Sequence, residues 1–258
     1  METDGRPQKK STSPWVYVGC GCGLAVLLAM LGLAGLTWWG VQTGKEMAET
    51  MTDPQKREEK VRSVIPYDRL PEGYYPAFAM SMPMGMMEMA MFTDHDPDTA
   101  QDTGSTSDST SNNDKEPDID FDERGFMYMN MYGMRGNKDK MERYLRGEAP
   151  RPEDSGWSQS SVNFDAKENV RRGTLTVNGT EVLYSANRGE IDRKSGSDED
   201  GLVTMVMPKC GDNRLRFGMW FGPDPSPETP VAEANFTGTN ADPAAIQAFL
   251  GHFKLCGK

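Results

Sequence analysis

Only two histidines, His95 and His252, occur in the 258 residues. That scarcity removes the usual general base and the commonest metal ligand from most of the chain. No Gly-x-Ser-x-Gly elbow, P-loop, dinucleotide fingerprint or His-Glu-x-x-His motif is present either. Basic residues are also short. Lys and Arg number 28 against 39 Asp and Glu, and phosphate binding needs a basic face, so nucleic acid is excluded as a partner. Cysteine is limited to four. Cys20 and Cys22 sit near one end of an apolar run, and only Cys210 and Cys256 follow it.

That run is what the sequence has most plainly. Trp15 to Val41 carries no charged side chain, and about 20 apolar residues cross a bilayer core as a helix. Trp15 and Tyr17 at one end and Trp38 and Trp39 at the other suit the two lipid–water interfaces. A cleaved signal peptide has a shorter apolar core and a small-residue cleavage site, whereas this run ends in Thr37-Trp38-Trp39. The pattern predicts a short tail at 1–14 and one transmembrane helix at 15–41. Arg6, Lys9 and Lys10 precede the run and only Lys45 closely follows it. The positive-inside rule then places the N-terminus inside and the C-terminal domain outside, facing the periplasm from a bacterial inner membrane. Gly19, Gly21 and Gly23, followed by Ala25 and Ala29, include a four-residue spacing of small side chains through which two such helices could form a homodimer.

Most of the negative charge beyond the run is concentrated. Residues 93–123 contain nine Asp and two Glu against one Lys, a net −10 of the chain's −11. The segment has almost no large apolar side chains before Ile119, so it cannot offset the entropy of ordering. It reads as a disordered acidic insertion within one domain. Asp118, Asp120 and Asp122 have the spacing that opens a calcium loop, but Glu123 stands where the loop needs glycine. Asp94, Asp96 and Asp98 have Thr99 at that place, and a solvated acidic loop explains both sets. Residues 42–64 read as a stalk, with Asp53-Pro54 capping a short charged helix.

The remainder, 65–258, predicts one α+β domain outside the membrane. Thr174–Val177 and Thr180–Tyr184 alternate around Asn178-Gly179, the signature of a tight hairpin. Gly201–Met207 and Arg214–Phe221 read as strands, the second with Leu215, Phe217 and Met219 on one face. Val231–Phe236 reads as another. Asp242-Pro243 opens a closing helix whose Ile246, Phe249, Leu250 and Phe253 form an apolar stripe. Lys138–Gly147 is a second helix, with Met141, Tyr144 and Leu145 inward. An antiparallel sheet packed with a few helices follows. Cys210 and Cys256 lie just past a strand and a helix. A disulfide between them fits an oxidising compartment and is worth about 3–4 kcal/mol.

The order of Pro71-Glu72-Gly73-Tyr74, early strands, a short helix, an Asn-Gly hairpin, later strands and a closing helix resembles the PsbP/Mog1-like α/β/α sandwich of bacterial extracytoplasmic domains. It is similar in style to single-pass membrane proteins of unknown function from myxobacteria-like genomes. The resemblance implies a fold and carries no catalytic residues.

Methionine is abundant, at nineteen. Met80, Met82, Met84, Met86, Met87, Met89 and Met91 crowd together, and Met127, Met129, Met131 and Met134 follow the acidic insertion. Thioethers are soft ligands that suit Cu(I), which makes Met80, Met82, Met84, Met86, Met89 and Met91 candidate metal ligands. Met is equally a flexible core filler, and period-two spacing places alternate residues on one strand face. Phe78, Phe92, Phe126, Tyr128 and Tyr132 nearby look like core material. A third reading is an adhesive surface for a partner or lipid. Glu190 and Asp192 are close carboxylates, but Arg193-Lys194 beside them make a charged turn. The chain therefore reads as a non-enzymatic, membrane-anchored binding or accessory protein of the cell envelope, needing no cofactor and serving an envelope protein partner. Copper binding by the methionines and an enzyme with an unrecognised site are the alternatives.

Overall fold

In the computed structural model, two antiparallel meanders meet side by side to make a single sheet. The described residues are 52–82, 85–99, 124–133, 135–150, 163–192 and 198–257. The run at 15–41, most of the acidic insertion and Met84 lie outside them. Among the described residues no helix is long and apolar enough to cross a membrane. The elements are α1 (Pro54–Val64), β1 (Tyr75–Ser81), β2 (Met87–Thr93), β3 (Gly125–Met131), α2 (Arg135–Leu145), β4 (Asn163–Val177), β5 (Thr180–Asp192), β6 (Asp198–Pro208), β7 (Leu215–Pro223) and α3 (Pro243–Leu250). The sheet order is β1-β2-β3-β7-β6-β5-β4, with every neighbour antiparallel. The α+β reading holds at this level.

Local chemistry sets the element ends. Asp53 accepts from the Gln55 amide at 3.0 Å, and Pro54 needs no donor partner in the first turn. Asp242 and Pro243 repeat the device at α3, with the Ala244 amide at 3.0 Å. Gly147 closes α2 with φ +76°, and the amides of Gly147 and Glu148 donate back to the carbonyls of Tyr144 and Arg143. Asn178 and Gly179 both take positive φ, 49° and 79°, as a two-residue hairpin turn requires.

Helices α1 and α3 cover one sheet face. Val61 and Val64 of α1, Ile246, Phe249 and Leu250 of α3, and Phe253 pack with Ala90, Phe92, Phe126, Tyr128, Val182, Tyr184 and Val206. Trp220 stacks on Phe249 at 4.1 Å between centroids, and its indole donates to the Tyr74 hydroxyl at 2.6 Å. Gly218 leaves room for that cluster, since a Cβ there would stand 2.7 Å from the Phe126 ring. Tyr128 donates to the Leu255 carbonyl at 2.7 Å, and burial pushes its hydroxyl pKa well above the ordinary value. The segment expected as a stalk thus supplies core residues through α1.

Helix α2 lies on the opposite face. Arg172 sits over the Tyr144 ring there, and Lys138 reaches the Asp212 carbonyl at 3.1 Å. Val231–Phe236 is not a strand. Its backbone turns, with the Pro230 carbonyl accepting from Glu233 and Ala234. Pro223, Pro225, Pro227 and Pro230 break up the chain just before it, and those two amides are spent in turns rather than on a neighbouring strand. Instead Arg188 pins this excursion, pairing with Asp224 and donating to the carbonyls of Ser226 and Thr229. Cys210 and Cys256 are bonded, with Cα atoms 5.4 Å apart, and tie the β6–β7 loop to the C-terminal tail.

Candidate functional site

Alternation along each strand sorts the methionines onto the face opposite α1 and α3. One rung runs Phe78, Met91, Met127, Met219, Met205, Ser185 across β1, β2, β3, β7, β6 and β5. The next begins Met80, Met89, Met129, Phe217, and Met207 faces Leu183 further along the same face. A third joins Met87, Met131 and Leu215, with the Met82 amide bonded to the Met87 carbonyl. The core under α1 and α3, by contrast, contains no methionine among its described members.

Exposure rises along this face toward the β1–β2 turn. Met91, Met127, Met205 and Met219 are between 1 and 4% exposed. Met80, Met89 and Met129 are half-buried. Beyond them Met82, bonded to Met87 across the turn, is 39% exposed. Met86 and Tyr132, at 49 and 61%, alternate onto the opposite face with Glu88 and Asn130. Of the residues singled out in the sequence, the fold brings Met80 and Met89 together as register partners. It sends Met91 into the buried rung, leaves Met82 at the open end and places Met86 on the opposite face beside Glu88. Met84 lies outside the described residues. Met129 belongs with Met80 and Met89 and was missed as a ligand candidate. Its period-two neighbours Met127 and Met131 were a signal for the strand but not for its pairing.

A hydrogen-bonded polar cluster backs the same end of the sheet on its other face. Asn130 donates to Glu88 at 2.7 Å, and Arg216 grips both carboxylate oxygens of Asp212 at 2.6 and 2.7 Å. The hydrogen bonds from Arg216, more than its charge, hold the Asp212 carboxyl below its ordinary pKa. Such a cluster fixes the strands that carry the methionine rungs.

The other candidate groups are occupied separately. Glu190 pairs with Lys167, which also lies 3.2 Å from Asp200. His252 is exposed, with Nδ1 3.1 Å from the Arg69 carbonyl. Asp94, Asp96 and Asp98 go to three different partners, the amides of Arg124 and Asp98 and the Arg57 guanidinium. No group of three His, Cys, Asp or Glu among the described residues is arranged to hold a metal ion. The chain matches no protein-family model, and no curated protein shows significant similarity to it.

Proposed function

We propose that the protein is a non-enzymatic binding module of the cell envelope, tethered by the run at 15–41. Its binding surface is the open end of the methionine face on β1, β2 and β3. The observation that carries this reading is the gradient on that face. The thioethers pass from a buried rung to Met82, 39% exposed, where a core filler would have nothing to fill. The charge-free run flanked by aromatics supports the tether. The antiparallel sheet with helices on both faces is compatible with a PsbP/Mog1-like sandwich, and that finer fold assignment is part of the proposal. Fractionation of a C-terminally tagged chain tests the tether. The tag is expected in the membrane fraction and removed by protease added to spheroplasts. A tag recovered in the soluble fraction, or protected from protease until lysis, overturns it.

A further inference from the structure

Packing accounts for the buried methionine rung but not for the thioethers that open to solvent beyond it. Strands favour β-branched and aromatic side chains, and the face under α1 and α3 follows that preference with Val177, Val182, Val206, Phe92 and Phe126. The reverse face of the same strands carries thioethers rung after rung, including positions open to solvent. The donors on this surface are soft and neutral, a set that selects Cu(I) over hard divalent ions.

From this placement we infer that Met80, Met89 and Met129 form a three-thioether site for Cu(I). They are register partners on three adjacent strands. Facing Cβ atoms in such a ladder lie about 4.5–5.5 Å apart. A trigonal centre with metal–sulfur bonds of about 2.3 Å needs sulfurs about 4 Å apart. The outer pair, Met80 and Met129, starts two strand spacings apart, about 10 Å. The three rotatable bonds of each let both side chains lean inward over Met89, which brings the sulfurs together without backbone movement. All three residues are half-buried, so an ion could enter from solvent and still lose most of its water. Neutral ligands suit a monovalent ion, because a divalent charge would be desolvated there without an anion to balance it. The flanking rungs are poorer sites. Phe78 shares the buried rung with Met91 and Met127, and the rung of Met82, Met87 and Met131 ends at Met82, 39% exposed, where a bound ion would keep its water.

The inference rests on reading this face as a binding surface and names its ligand. Its test does not depend on the tether. The full chain is taken in detergent with Cys20→Ser and Cys22→Ser, so that no free thiol competes. Ascorbate serves as reductant because it spares the Cys210–Cys256 bond. Cu(I) is titrated anaerobically against a chromogenic chelator. The chain is expected to take up one equivalent. Met80→Leu/Met89→Leu/Met129→Leu is expected to lose it with its unfolding temperature kept, since Leu for Met conserves volume. Met91→Leu/Met127→Leu is expected to bind as before. In ¹³C-methyl methionine spectra, the resonances absent from the triple variant should be the ones Cu(I) shifts. Should the triple variant fail to fold, Met89→Leu alone removes the middle ligand and should weaken binding. No uptake by the parent, uptake unchanged without these three thioethers, or uptake lost in Met91→Leu/Met127→Leu overturns the inference, whatever fractionation shows.

Discussion

Asp212 shows how one side chain can set the acid response of a loop. It sits in the β6–β7 connection and takes both hydrogen bonds of the nearly buried Arg216 guanidinium. Its folded pKa is lowered, so the folded state binds its proton less readily than the unfolded chain does. The stabilisation is therefore complete above the unfolded carboxylate value and fades as pH falls through the folded one. Asp212 is 46% exposed, so solvent screening limits its worth to about 1 kcal/mol. Asp212→Asn is expected to lower stability by that amount at pH 7 and to flatten its loss below the ordinary carboxylate range. Urea unfolding at a series of pH values reads both effects. A variant that keeps the parent's acid slope would show that Asp212 is not the titrating group.

At the scale of elements, the disulfide is the principal clamp on the C-terminal tail. It joins positions 46 apart in sequence, and it holds Leu255 where its carbonyl receives the Tyr128 hydroxyl. Cys210→Ser/Cys256→Ser is expected to cost about 3–4 kcal/mol through the freed unfolded chain, and dithiothreitol should lower the parent's unfolding free energy, read by urea, by the same amount. The pairing was legible because only two cysteines follow the apolar run. So were the two Asp-Pro helix starts and the Asn178-Gly179 hairpin, each written within a few adjacent residues. Three features were not. Strand β4 begins at Asn163, well before Thr174, because its charged start is an edge segment whose side chains stay in solvent. Val231–Phe236 has strand-like residues, but its Glu233 and Ala234 amides close turns back onto Pro230, and among the described residues no strand lies alongside it. The Met80–Met89–Met129 rung depends on pairing β2 with β3 across the acidic insertion, and no local pattern encodes a partner that far away.

For the molecule as a whole, the place where the folded domain begins is decided by α1. The charge pattern of 53–64 reads as a solvated stalk, yet Glu49–Lys258 forms one compact unit. Val61 is fully buried, Val64 is in the same core, and Arg57 pairs with Asp98 beyond β2. Few apolar positions are needed to dock a helix if they recur on one side, and Val61, Val64 and Ile65 do so while the charges between them face water. Removing α1 would expose the surface these valines cover, at about 1.5–3 kcal/mol for each fully buried side chain. It would also strip Arg57 from Asp98. The sum is a large part of the 5–15 kcal/mol that a domain typically has. A chain of residues 49–258 is therefore expected to unfold cooperatively, with sharp near-ultraviolet dichroism from the Trp220–Phe249 cluster. A chain of 65–258 is expected to lose that signal or melt far lower. Equal melting of the two would mean that α1 rests on the sheet without supporting it, and that the domain starts at the β1 side of Ile65 after all.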